Sequence, residues 1–187
     1  QPLHGFALRR LGDTALLLHG GDRIDADLNR RVHALAAALR ATRPSWVVDL
    51  VPAYASLAVH VDVDACDADS DTDTDALTRA ESWVRAQLAA AVLRDTAGQA
   101  REVRIEVRYG GEDGPDLEAV AAHAGLSTAE VVARHVAPRY RVAMLGFAPG
   151  FPYLLGLDPA LAMPRRAQPR RAVAAGSVGI GGAQTGI

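Results

Sequence analysis

The sequence predicts an α+β protein of two domains. Residues 1–98 read as a small unit of pattern ββαββα, and residues 99–187 as a second unit of strands, short helices and irregular backbone. Three observations carry this. Ile24, Leu28, Val32, Leu35 and Leu39 recur at helical spacing, as do Leu77, Ala80, Val84, Leu88, Ala91 and Val92. Leu57, Val59, Val61 and Val63 alternate with Ala58, His60 and Asp62, which buries one face of a strand. Residues 96–101 then interrupt the pattern and form the best boundary.

Taken in order, residues 4–9 and 14–19 predict two short strands joined at Gly12-Asp13, a turn signal. Asp25 caps the first helix and Pro44 prevents it from running further. Trp46 to Val51 and Ser56 to Val63 are the next strands, joined through Pro52. Five aspartates follow between Asp67 and Asp75. A calcium loop starting at Asp71 would need Gly at 76 and Glu at 82, but Ala76 and Ser82 stand there. A solvated acidic loop that caps the helix from about Asp75 to Thr96, with Gly98 past its end, is the better reading. A two-layer unit with an antiparallel sheet results. A split βαβ arrangement that borrows the strand after Arg101 is the competitor.

In the second half, Val103, Ile105 and Val107 alternate in a strand from Glu102 to Tyr109, broken by Gly110-Gly111. Pro115 suits the first position of a helix that Gly125 ends. Ser127 and Glu130 form a capping-box pattern for a helix to about Val136, and Pro138 stops it. Tyr140 to Phe147 is a strand that runs into residues 145–187. Gly and Pro recur there too often for a helix. Phe147, Phe151, Tyr153, Leu154 and Leu161 mark it as packed irregular backbone rather than a linker.

Composition excludes several chemistries. All 20 basic residues are arginine, so the chain has no P-loop lysine, Schiff-base lysine or Ser–Lys dyad. A lone cysteine, Cys66, excludes an internal disulfide and a multi-cysteine zinc site, and fits a reducing compartment. The six histidines show no metal-ligand spacing, so no metal is expected. No apolar run approaches the ~20 residues of a membrane span, and no signal-peptide pattern opens the sequence. A net charge of −2 and a short basic cluster argue against nucleic acid.

The chemistry left concerns anions. Arg165, Arg166, Arg170 and Arg171 offer planar bidentate donors for carboxylate or phosphate. Nearby glycines allow close backbone approach, and Gln184 and Thr185 add neutral hydrogen-bond partners. Composition alone favours a solvated loop over this site. Ala175-Gly176-Ser177-Val178-Gly179 resembles a nucleophile elbow but has Ala175 where that motif needs Gly. Gly176 to Gly186 does not fit the dinucleotide fingerprint, since Gln184 falls on its third glycine.

Several stretches together resemble one family. GFAPGFPYLLGLDPALAMPRRAQPRRAVAAGSVGIGGAQTGI resembles the signature of the 5-oxoprolinase B-subunit family, also called allophanate hydrolase subunit 1, which includes the kinase inhibitor KipI. YGGEDGPDLEAVAAHAGLSTAEVVARH, PRYRVAMLGF, LGDTALLL and VPAYASLAVH fit the same family. The resemblance implies that residues 99–187 form a cyclophilin-like β-barrel, though fold does not give function. It implies one component of a cytoplasmic, ATP-dependent 5-oxoprolinase. The partners would be the C subunit of that enzyme, which is allophanate hydrolase subunit 2-like, and its A subunit. ATP is then used by the complex, and the substrate is a small-molecule amide, the lactam 5-oxoproline. Inhibition of a sensor histidine kinase, or a role related to allophanate hydrolase and urea carboxylase, is the alternative.

Carried over by position, the implied binding residues are Phe147, Pro149, Gly150, Tyr153, Arg165, Arg170, Gly176, Ser177, Gly179, Gln184 and Thr185. No catalytic base stands out, so little activity is expected of the chain alone. His135 matches a family histidine before the strand. Leu155, Ala174 and Ala55 depart from residues common in the family. The family usually continues beyond the position of Ile187 with further barrel strands, so the expected barrel is C-terminally incomplete.

Overall fold

The computed structural model describes residues 5–68, 74–90 and 101–187. The chain folds as two units, Gln1–Arg101 and Glu102–Ile187. His4, residues 69–73 of the aspartate run, and residues 91–100, with the expected helix end and Gly98, lie outside the described residues.

The first unit opens on a hairpin of β1 (Ala7–Arg10) and β2 (Ala15–His19), with Gly12 at φ 65° in its turn. Helix α1 (Ala26–Ala41) starts where expected, because the Asp25 carboxylate accepts from the Leu28 N–H at 2.7 Å. β3 (Val47–Pro52) and β4 (Ser56–Val61) complete an antiparallel sheet of order β1-β2-β4-β3. After a short helix α2 (Val63–Ala68), helix α3 (Ala76–Ala90) carries Leu77, Ala80, Val84 and Leu88 on its inner face. Asp75 caps α3, accepting from the Thr78 N–H at 3.1 Å. Leu16, Leu18, Leu57 and Val59 from the sheet meet Val32, Leu35 and Leu39 from α1 in one core. Trp46 and Trp83 cross edge to face at 5.6 Å beside it.

One element departs from the ββαββα pattern. Helix α2 stands where the sequence reads as strand end and acidic loop. Asp62 turns the chain there, accepting from the Ala65 N–H at 3.0 Å. Cys66 is buried by this turn. A strand pattern at Val63 and an N-cap at Asp62 compete, and the cap prevails in a turn that brings Cys66 into the core.

The second unit packs α4 (Leu117–Ala124) and α5 (Thr128–Val136) against a single 3-10 turn, Pro159–Leu161. Ala121, Val131 and Leu161 are its buried centre, joined by Leu117, Val120, Leu157 and Ile180. Gly125 ends α4 in the left-handed region at φ 66°, and the Leu126 N–H reaches back to the Ala121 carbonyl at 3.0 Å. Ser127 and Glu130 form the reciprocal capping box. α4 starts at Leu117 rather than at Pro115, and Asp116, at its N-cap, makes no capping bond.

The sheet of this unit has the order β5-β6-β8-β7, from β5 (Arg141–Leu145), β6 (Pro152–Leu155), β7 (Gly179–Gly181) and β8 (Gln184–Gly186). All its pairings are antiparallel, and it is open: the described residues form no closed barrel. The expected strand from Glu102 to Tyr109 is not formed. Val103 and Ile105 are instead more than half exposed, at 59% and 54%. An alternating pattern becomes a strand only where a sheet edge accepts it, and neither edge of this sheet does so.

Asn29 ties the first unit together from within. It is wholly buried in α1, and its amide donates to the carbonyls of Ala53 and Tyr54 at 3.0 and 3.3 Å. Asn29→Ala strands those carbonyls and is expected to cost about 1–3 kcal/mol. Urea unfolding measures this, and a midpoint equal to that of the unsubstituted chain would remove Asn29 as a tie.

Candidate functional site

The β7-β8 hairpin and the strand β6 build one wall of a groove of about 270 Å³ in the second unit. Phe151, Tyr153, Arg165, Arg166, Ile180, Gln184 and Thr185 line it, with Gly179, Gly181 and Gly186 as its backbone floor. Of the residues expected from sequence, it gathers Tyr153, Arg165, Gly179, Gln184 and Thr185.

Arg165 arrives there through the backbone. Met163 pairs with Gly182 at the hairpin turn, the Met163 N–H donating to the Gly182 carbonyl at 3.1 Å. Gly182 takes this turn at φ 63°, where a side chain would be strained. Two residues on from Met163, the Arg165 stem lies beside Gly181, where a Cβ would sit 3.7 Å from Arg165 Cγ. Gly186 permits the opposite wall. A Cβ there would stand 2.4 Å from the Phe151 ring and 2.9 Å from the Pro152 carbonyl. Phe151 therefore lies directly on the β8 backbone.

Three of the four arginines separate by partner, and Arg171 is exposed and does not line the groove. Asp116 takes Arg170 on both guanidinium nitrogens, at 2.5 and 2.9 Å, and Arg166 at 2.9 Å. The Arg170 hydrogen bond and charge, with Arg166 behind them, hold the Asp116 carboxyl below its ordinary range. Arg170, an expected anion anchor, is thus engaged by Asp116 and does not line the groove. Arg165 forms no ion pair with a described residue. A guanidinium at a groove with Gln184 across it can receive a small carboxylate, leaving the amide for a second polar group.

The other expected residues have different places. Thr185 is buried, and its hydroxyl donates to the Gly179 carbonyl at 2.9 Å, pinning β8 to β7. Ser177 is exposed and donates to the Ala174 carbonyl at 2.7 Å, in a turn where Gly176 has φ 79°. Neither Ser177 nor Gly176 lines the groove. Phe147, Pro149 and Gly150 form the loop between β5 and β6, and Phe147 touches the groove wall through Phe151 at 5.4 Å. Among the lining residues no carboxylate, imidazole or thiol is present. Among the described residues, no three His, Cys, Asp or Glu side chains gather to hold a metal, and no helix is long and apolar enough to cross a membrane.

Sequence reasoning missed Phe151 and Ile180 as lining residues, and it offered Arg166 only as one of four clustered anion donors, outside the carried-over set. Phe151 was visible as the second aromatic of the GFAPGFPYL run. Asp116, which sorts the arginines, left no signal at a separation of fifty residues or more.

A second polar cluster sits behind α5. His135 is buried, its Nδ1 sharing a 2.5 Å hydrogen bond with the Tyr109 hydroxyl. Tyr140 donates to the His135 carbonyl at 2.8 Å. Burial lowers the His135 pKa and raises those of both tyrosines.

The family profile described as "Carboxyltransferase domain, subdomain C and D" matches residues 6–187. The chain is 37% identical over 182 residues to the 5-oxoprolinase B subunit of Bacillus subtilis, an alignment that covers 97% of this chain and 76% of that one. It is 40% identical over 177 residues to the 5-oxoprolinase B subunit of Escherichia coli O157:H7, covering 95% of this chain and 75% of that one. Among solved structures, TTHA0988 superposes with a TM-score of 0.72 at 37% identity, over 97% of this chain and 32% of its own. The chain therefore spans about three quarters of these two curated relatives and about a third of TTHA0988. The urea carboxylase of Kluyveromyces lactis shares the fold, with a TM-score of 0.64 at 18% identity over 97% of this chain and 17% of that one.

The lowered His135 pKa sets a pH window. Below its ordinary value of about 6.5 the unfolded chain binds a proton that the folded chain refuses. Stability is expected to fall as pH drops below that value and to be flat in this respect above it. Thermal melts from about pH 7.5 to about 5.5 measure the slope across that window, which His135→Gln should reduce; an unchanged slope would exclude His135 as its source.

Proposed function

This chain belongs to the carboxyltransferase subdomain C and D family together with the curated 5-oxoprolinase B subunits, and we propose that it acts as the B subunit of a cytoplasmic ATP-dependent 5-oxoprolinase. In this reading it works with the C and A subunits of that enzyme. The complex converts 5-oxoproline, ATP and two waters to glutamate, ADP and phosphate.

The observation that supports this reading best is the groove with one uncommitted guanidinium. Arg165 lines it without an ion pair to a described residue, while Arg166 and Arg170 are both paired with Asp116. 5-Oxoproline carries one carboxylate and one lactam amide. Arg165 would take the carboxylate in a bidentate pair. Gln184 offers an N–H donor and a carbonyl acceptor, the complement of the lactam carbonyl and N–H. Both partners are fixed by the same hairpin, so the ligand's two polar ends are set before reaction.

The lining also limits what this chain does. Opening the lactam needs water attack at the carbonyl carbon, proton removal from that water and proton delivery to the ring nitrogen. No lining side chain is a base near neutral pH. This chain then binds and orients, and a partner supplies the base and the phosphorylation that activates the lactam oxygen. The same reading takes the open sheet of residues 141–186 as part of the cyclophilin-like barrel that the family resemblance implies.

Reconstitution tests the proposal. Mixed with the C and A subunits, the chain should release glutamate from 5-oxoproline only when ATP is present, and alone it should release none. Arg165→Ala and Gln184→Ala should each lower kcat/KM by about tenfold or more, the worth of one charge-assisted or buried hydrogen bond. Full turnover in both variants would remove the groove as the substrate site, and no turnover with any partner would remove the 5-oxoprolinase reading.

A further inference from the structure

The loop between β5 and β6 holds a strained residue. Among the described residues Phe147 is the sole non-glycine at positive φ, 63°. The Ala148 N–H donates to the Gly146 carbonyl at 2.7 Å, closing a γ-turn centred on Phe147. With positive φ this is the strained hand of that turn, and a bulky side chain there is an outlier. The next turn is relaxed. Pro149 and Gly150, the latter at φ 80°, occupy the corners of a type II turn in which the Phe151 N–H reaches the Ala148 carbonyl at 3.0 Å. The strain is therefore confined to one residue.

That residue gains little from packing. The Phe147 side chain is 88% exposed, the most exposed large hydrophobic residue of the described chain. Its contact is an edge-to-face one with Phe151 at 5.4 Å. Phe151 in turn meets Tyr153 edge to face at 5.1 Å. The inner two rings line the groove, so Phe147 is the outermost rung of an aromatic ladder that starts inside it. A glycine would relieve the strain and a polar residue would suit the exposure, so neither the backbone nor the solvation of Phe147 accounts for an aromatic ring beside the groove.

We propose that Phe147 is a specificity-determining residue of the groove: its ring closes over a small planar ligand held at Arg165 and Gln184, moving about its strained turn. This rests on the function proposed above and adds the shape of the ligand to it. A groove of about 270 Å³ suits a ligand smaller than a drug-sized one. A carboxylated five-membered lactam fits that class: its flat amide face stacks on an aromatic ring, whereas an extended chain offers no such face. Closure also excludes water from the Arg165 ion pair and strengthens it.

Steady-state kinetics of the reconstituted complex with 5-oxoproline, together with thermal melts of this chain, test the proposal. Phe147→Gly removes the ring and relieves the strained φ. It should raise the KM about tenfold with kcat within about threefold, while the Tm rises by about 2–4 °C. Phe147→Tyr keeps the ring and should restore the KM. A KM within about twofold of the parent in Phe147→Gly, well short of one stacking contact, overturns the proposal. If Arg165→Ala raises the KM and Phe147→Gly does not, the ring assignment alone falls; if neither raises it, the groove reading falls too. If Phe147→Gly dissociates the complex and its KM is normal once assembled at high concentration, Phe147 is a protein-docking anchor and the proposal is wrong.

Discussion

One carboxylate decides which of the clustered arginines are left unpaired at the groove. Asp116, at the start of α4, holds both Arg166 and Arg170 and so engages two of the four clustered guanidinium groups while offsetting one of their charges. It does this at the expense of capping its own helix, since its side chain makes no bond to an α4 N–H. The segment carrying the arginines is mostly exposed and has little apolar packing of its own. The Asp116 pairs and the Met163–Gly182 pairing are its ties to the folded unit. With those ties in place Arg165 is left beside the β7-β8 hairpin as the lining guanidinium that pairs with no described carboxylate.

The groove itself is made by the absence of side chains. Gly186 lets Phe151 rest on the β8 backbone, and Gly182 lets the hairpin turn where Met163 can pair with it. Thr185 then locks β8 to β7 from the buried side. Apolar wall, backbone floor and a few convergent polar groups are the ingredients of a small-ligand site. No lining side chain is a carboxylate, imidazole or thiol, and the proposed function accordingly takes its base from a partner.

Much of the fold was legible because local signals and tertiary demands agree. The Asp25 cap, the Ser127–Glu130 capping box, the Gly125 stop and the hairpin at Gly12 are each read from a few neighbouring residues. The same locality explains the failures. Val103, Ile105 and Val107 carry a strand pattern, but pairing depends on an edge that sequence does not reveal. Residues 63–68 are helical because Cys66 finds a place in the core, again a tertiary fact. At the site, residue types pointed to anions and the family resemblance to Arg165, Arg170 and Gln184. Separating Arg165 from Arg170 required Asp116, fifty-four residues before Arg170. The strain at Phe147 was equally invisible, since its neighbours Gly146, Pro149 and Gly150 are the residues that read as turn formers.

The proposed function gives Arg165 to the ligand and Arg170 to the fold. Equilibrium binding of 5-oxoproline to the assembled complex, followed by calorimetry for Arg165→Ala and Arg170→Ala side by side, separates the two roles. Binding should be weakened about tenfold or more by the first substitution and by less than about threefold by the second. The reverse order, or equal losses in both, would contradict the division of labour that Asp116 imposes.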